Sequence, residues 1–204
     1  QMTRDRSGAV DESKRATLRR FAAIGAASPF VGLASASESE TPDAIAGYLA
    51  STPGAHFSKL RDDLQLGTGE AQHHLRALEE DGVVESVKDG DYRRYFPAGR
   101  FSTFERTALG YLRRETPRGM LVALLREPRA PGTTLAEALD VSRPTVSKYA
   151  TELVEAGLLA KDEGYVVREP ETVLLLLVRY ADSFGDDAAD LAEVADELVD
   201  YVPE

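Results

Sequence analysis

Leu139-Asp-Val-Ser-Arg-Pro-Thr-Val-Ser-Lys-Tyr-Ala-Thr-Glu-Leu-Val-Glu-Ala-Gly-Leu-Leu159 reads as the second half of a helix-turn-helix. Val141 closes a turn, and Ser142 is a good N-cap because its hydroxyl can accept from an orphan amide at a helix start. Pro144 suits the first turn, where a missing N–H is little loss. Val146, Tyr149, Ala150 and Leu153 recur at i, i+3, i+4 and i+7, one buried stripe. Gly157 stops the helix and Leu158-Leu159 begins an extended run. The opposite face carries Arg143, Thr145, Ser147, Lys148 and Thr151, with Glu152 as the nearby acid. Cations and hydroxyls of this kind suit phosphates and base edges, where carboxylates would be repelled.

The pattern occurs twice. Moved back 75 positions, Leu64-Gln-Leu-Gly-Thr-Gly-Glu-Ala-Gln-His-His-Leu-Arg-Ala-Leu-Glu-Glu-Asp-Gly-Val-Val84 falls on it without a gap. Leu64 meets Leu139, Ala71 meets Val146, Leu78 meets Leu153 and Gly82 meets Gly157, and upstream Ile45 meets Met120 and Pro53 meets Pro128. Two copies are too few for a solenoid, so tandem small domains are expected.

Gln72-His-His-Leu-Arg-Ala-Leu-Glu-Glu-Asp-Gly-Val-Val84 resembles the recognition helix and following strand of ArsR-like and MarR-like winged helix-turn-helix regulators. The paired arrangement with an acidic composition resembles the tandem winged-helix regulators of halophilic archaea. The resemblance covers roughly residues 42–168. It implies an α+β fold, mainly α with small β wings: two tandem winged helix-turn-helix domains plus N-terminal and C-terminal helices. It also implies sequence-specific binding of double-stranded DNA in a cytoplasmic regulator, most often a repressor.

The expected divisions are an N-terminal extension, 1–40, with a helix at 11–27; a first domain, 41–100; a connecting helix, 101–115; a second domain, 116–168; and C-terminal helices, 169–204. The net charge of −11 is the wrong sign for a DNA binder taken whole. Arginine (19) far outnumbers lysine (five) and acids are abundant, as in proteins kept hydrated in concentrated salt. A neutral or basic face inside an acidic shell then suffices.

With no cysteine there can be neither a disulfide nor a thiolate metal site. The histidines at 56, 73 and 74 do not suggest a metal centre, so no cofactor or metal is expected. No catalytic constellation appears, and an enzyme is not expected.

From Lys14 to Ser37 a basic start, an apolar middle and Ala34-Ser35-Ala36 fit an export signal. Gly25, Ser28, Pro29 and Gly32 interrupt that run, which favours instead an arginine-rich helix ended by Ser28-Pro29. Thr41 should cap a helix with Pro42 at its first position, and Phe57, Leu60 and Leu64 mark the next. The first recognition helix, 68–81, should turn Thr68, Gln72, His73 and Arg76 outward, with Glu70 an acid on that side. Val83–Lys88 and Tyr92–Phe96, joined at Asp89-Gly90-Asp91, read as the wing, with Arg93 and Arg94 offered to phosphate.

Phe101–Arg114 reads as the connecting helix, apolar enough to pack between domains. Thr133 or Thr134 should cap the second domain's middle helix, ahead of the recognition helix 142–156 and a shorter wing. A helix at 171–184 holding Val173-Leu-Leu-Leu-Leu-Val178 is too apolar for a free surface and should be buried between the domains or in a dimer. A last amphipathic helix carries Leu191, Val194 and Leu198, and a homodimer through terminal helices is expected. The candidate DNA contacts are therefore Thr68, Gln72, His73, Arg76, Arg93, Arg94, Ser142, Arg143, Thr145, Ser147 and Lys148. The alternatives are a winged-helix protein-interaction module without DNA binding, and a membrane-tethered regulator.

Overall fold

The computed structural model describes residues 5–26 and 40–184, with side chains described over 12–24 and 40–184. Two compact units divide the chain between Phe101 and Ser102.

The first unit begins with α1 (Asp5–Ala26), longer at its start than the expected 11–27, which packs along α2 (Glu40–Ser51). Leu18 is buried there, and Phe21 meets the Tyr48 ring edge-on at 5.3 Å. Thr41 is not a cap: α2 starts at Glu40 and Thr41 is buried within it. A strand that sequence patterning did not suggest follows, β1 (Ala55–His56), and then α3 (Phe57–Asp63), capped by His56 Nδ1 accepting from the Lys59 amide at 3.2 Å. The recognition helix is α4 (Thr68–Glu80), and β2 (Val84–Asp89) and β3 (Tyr92–Pro97) form the wing. The antiparallel sheet has the order β1-β3-β2, with Asp89 paired to Tyr92 around a two-residue turn where Gly90 takes φ +59°. Ile45, Leu49, Leu60, Leu64, Ala71, Leu75 and Leu78 fill the core.

The second unit starts with α5 (Thr103–Leu112), capped by Ser102, whose hydroxyl accepts from the Glu105 amide while the Glu105 carboxylate accepts from the Ser102 amide. It packs on α9 (Pro170–Arg179) and on α6 (Glu115–Arg126). Then come α7 (Gly132–Ala138), the recognition helix α8 (Arg143–Glu155) and the hairpin of β4 (Leu159–Asp162) and β5 (Gly164–Val167). Neither Thr133 nor Thr134 caps α7: the cap position is Pro131, without a side-chain hydrogen bond, and both threonines lie exposed inside the helix. The helix expected at 171–184 is shorter, ending at Arg179 and followed by a 3₁₀ turn over Ala181–Ser183. It is not buried all round. Val173, Leu174, Leu176 and Leu177 are inside, but Leu175 is 69% exposed. The amphipathic stretch around Leu191–Leu198 and the apolar run after Ala26 lie outside the described residues. Among the described residues no helix is long and apolar enough to cross a membrane.

The internal repeat holds bond for bond. Helices α6, α7 and α8 each begin and end 75 positions after α2, α3 and α4. The Val83 amide donates to Leu78 O as Leu158 does to Leu153 O, and Leu66 donates to Arg61 O as Val141 does to Ala136 O. Left-handed backbone recurs too: Gln65 and Asp140 take φ of 55° and 50° in the two helix-turn-helix turns, and Gly54 and Arg129 take 77° and 66°. A non-glycine residue there is strained by about 1–2 kcal/mol. Both copies hold that strain at one place, which marks the turn as a requirement of the packing.

Candidate nucleic-acid interface

In the first unit α4 buries Ala71, Leu75 and Leu78 and leaves Thr68, Gln72, His73 and Arg76 exposed, as the stripe requires. The charges around them are matched. Arg76 Nε lies 2.9 Å from Glu80 Oε1, one helical turn on. Arg61 Nη1 reaches Thr68 Oγ1 at 3.5 Å. The Glu70 carboxylate accepts from the Gly67 amide at 3.2 Å, closing the helix start, and from Lys14 Nζ of α1 at 3.0 Å. Burial pushes the Glu70 carboxyl up, but the Lys14 ammonium and the Gly67 amide outweigh it and hold the group below its ordinary range. His74 is half-buried, its ring 5.2 Å from that of His73. Burial, with the neighbouring His73, pushes its pKa down against the pull of Glu70.

The wing separates its two arginines. Arg93 is exposed, donating to Ser86 Oγ at 3.3 Å and lying 3.9 Å from Glu79 Oε1. Arg94 corrects the expectation of an outward phosphate contact: its side chain is 5% exposed, ion-paired to Asp89 and donating to Gly54 O at 3.0 Å. Along β3 exposure falls from the tip to the core, with Tyr92 and Arg93 exposed and Arg94, Tyr95 and Phe96 buried, so the two arginines stand on either side of that boundary. Arg94 holds the wing onto the turn before β1. Tyr95 is also buried, and burial pushes its phenol pKa up. The exposed cation beside Arg93 is Lys88, its cross-strand partner, which sequence reasoning passed over. The register fixed by the two-residue turn at Gly90-Asp91, which sets Lys88 opposite Arg93, could have found it.

In the second unit α8 buries Val146, Ala150 and Leu153. Ser142 caps it, accepting from the Thr145 amide at 3.3 Å, and its hydroxyl lies 2.8 Å from Thr145 Oγ1. Arg143, Ser147, Lys148 and Thr151 are exposed, and Thr145 is half-buried. Among the described residues Arg143 has no ion pair or hydrogen bond through its side chain. Lys148 Nζ stays 3.9 Å from Glu152 Oε1, and Glu152 also lies 3.7 Å from Arg114 Nη1. The short hairpin adds exposed Lys161 and Arg168, while Arg129 pairs with Asp162 at 3.4 Å.

No group of His, Asp and Glu that could hold a metal occurs among the described residues. What α8 offers is a surface: a guanidinium, an ammonium and hydroxyls on one side of a rigid helix, the donor set that contacts phosphates and base edges.

Two family models match the chain. Residues 39–109 match one described as an N-terminal HTH domain, and residues 113–160 match one described as winged helix-turn-helix DNA-binding. The chain is also similar to a protein of Methanocaldococcus jannaschii described as an uncharacterized HTH-type transcriptional regulator, at 29% identity over 126 residues. That match covers 61% of this chain and 32% of the relative, so the chain spans about a third of the length of the curated protein it matches. No solved structure matches the chain significantly. The repeated helices, a hairpin after each recognition helix and the two family matches together make the chain a tandem of two helix-turn-helix domains, each followed by a wing, the second matching a winged helix-turn-helix DNA-binding family.

Proposed function

We propose that the chain is a sequence-specific regulator of transcription that binds double-stranded DNA, acts in the cytoplasm and represses by occluding a promoter. The observation that supports this best is the exposed side of α8, where Arg143, Ser147, Lys148 and Thr151 precede any carboxylate. A helix so equipped fits a major groove, its cations against phosphates and its hydroxyls against base edges. The acidic balance of the whole chain does not oppose this, because the contacting face lacks that balance. A working form as a homodimer, joined through terminal helices, would present two such faces to a symmetric operator.

The test is selection. Full-length protein is mixed with fragmented DNA of its own genome in molar potassium chloride, and the bound fragments are sequenced. Enrichment of a few promoter fragments sharing a motif is the expected result, with an inverted repeat if a dimer binds. A folded protein that enriches nothing would remove the DNA reading and leave the winged-helix protein-interaction module as the alternative.

A further inference from the structure

The 75-residue repeat allows the two recognition helices to be compared position by position. Thr68 in α4 stands where Arg143 stands in α8; Glu70 where Thr145 stands; His73 where Lys148 stands; Glu79 where Val154 stands. At each of these positions the second copy is the more favourable to a polyanion; Arg76 against Thr151 and Ala77 against Glu152 run the other way. Along the helices, α4 sets three carboxylates against one guanidinium, whereas α8 sets two against two cations.

The surroundings differ in the same sense. Of the first domain's cations, Lys59 is 3.0 Å from Asp63, Arg61 2.7 Å from Asp62, Arg76 2.9 Å from Glu80, and Arg94 is buried on Asp89, while the wing's Lys88 has no side-chain ion pair or hydrogen bond among the described residues. In the second domain Arg143, Lys161 and Arg168 have no side-chain ion pair or hydrogen bond among the described residues. The helix starts diverge as well. Gly67 leaves the α4 N-terminus to the Glu70 carboxylate, so the positive end of the helix dipole already holds an anion. Ser142 closes the matching end of α8 with a neutral hydroxyl.

We propose that the two copies have divided their work: sequence is read by α8 alone, through Arg143, Ser147 and Thr151, with Lys148, Lys161 and Arg168 on phosphates, and α4 reads no bases. This rests on the DNA-binding reading above and assigns it to one helix. An exposed ion pair such as Arg76–Glu80 is itself worth little, but at 2.9 Å the carboxylate stays beside any phosphate that approaches Arg76 and cancels much of its attraction, whereas Glu152 lies 3.9 Å from Lys148 and is shared with Arg114 at 3.7 Å.

The experiment uses the full chain and the promoter fragment recovered by selection, with affinity measured across a potassium chloride series. Arg143→Ala/Lys148→Ala should weaken binding at least about 30-fold and lower the salt slope by about 1, the loss of the Lys148 phosphate contact, with the preference for the selected sequence lost along with Arg143. Gln72→Ala/Arg76→Ala should stay within about threefold with its slope unchanged. Thermal melting checks that both variants, changed only at exposed positions, remain folded. Equal losses from the two variants would show that both copies read DNA and overturn the division. So would a loss confined to the α4 variant, or none from either. A wild-type chain that binds no duplex would instead overturn the DNA reading itself. As a second arm, Glu79→Gln/Glu80→Gln should raise non-specific affinity and steepen the salt slope, because it removes the carboxylates that shield α4; an unchanged slope would count against the electrostatic cause.

Discussion

Lys14 Nζ lies 3.0 Å from Glu70 Oε2, joining α1 to the first turn of a recognition helix 56 residues further along the chain. The contact ties down a carboxylate that also closes the α4 N-terminus. Because the folded pKa of Glu70 lies below its ordinary value of 4.5, its contribution to stability is complete above that pH and is lost as pH falls through the folded value. Both side chains are about a third exposed, so the contribution is small, about 0.5 kcal/mol after solvent screening. Glu70→Gln should lower first-domain stability by that order at pH 7 and by less at about pH 3. Denaturant titration at the two values checks it; an equal loss at both would assign the effect to packing.

His74 supplies a second pH dependence of the same sign from a different cause. Its folded pKa lies below the ordinary 6.5 because the ring is partly buried beside His73, with Glu70 only partly compensating. As pH falls below 6.5 the unfolded chain takes up the proton first, so stability falls with pH in that window. His74→Leu should flatten the melting temperature between about pH 7 and 5.5. A variant that keeps the wild-type slope would contradict this assignment.

The neighbouring wing arginines should part in their effects. Arg94→Met removes the buried guanidinium that pairs with Asp89 and donates to the Gly54 carbonyl, and should cost about 3 kcal/mol. Arg93→Ala, at an exposed position, should change stability by less than about 0.5 kcal/mol while reducing the salt slope of DNA binding. Chemical denaturation and salt titration of each variant separate the two roles. Equal stability losses would contradict the geometry.

The fold was legible where local pattern and tertiary packing agree. The stripe from Ala71 to Leu78 and its copy from Val146 to Leu153 repeat every helical turn, and both glycines that end these helices take positive φ. The turns before them were not legible, because Gln65 and Asp140 adopt left-handed backbone without being glycine. Nor was β1, two residues long and defined only by pairing Ala55 with Tyr95, 40 positions away. Of the candidate site, helical spacing found the exposed faces correctly, since direction follows from the period. It could not find the ion pairs that quiet α4, because Lys14 and Arg93 come from other elements. The burial of Arg94 was not legible because its partners, Asp89 and the Gly54 carbonyl, lie on other segments.

The second wing turns through a position that tolerates only glycine. Gly164 takes φ +150°, and a Cβ there would stand 2.9 Å from Arg129 Cβ and 3.0 Å from its Cα. Gly164→Ala should therefore cost about 1–3 kcal/mol, since the backbone of Arg129 would have to move. Gly90→Ala, at the first wing's tip with φ +59° and open space around it, should cost only about 1 kcal/mol. Melting of the two variants gives the comparison, and the reverse order would contradict it.

The most direct test of DNA recognition is the affinity for the selected promoter fragment set against that for a scrambled duplex of the same length and composition, followed across potassium chloride concentrations. A sequence-specific regulator predicts a preference of about 1,000-fold or more at physiological salt, with both affinities falling as salt rises. Equal affinities for the two duplexes at every concentration would contradict it.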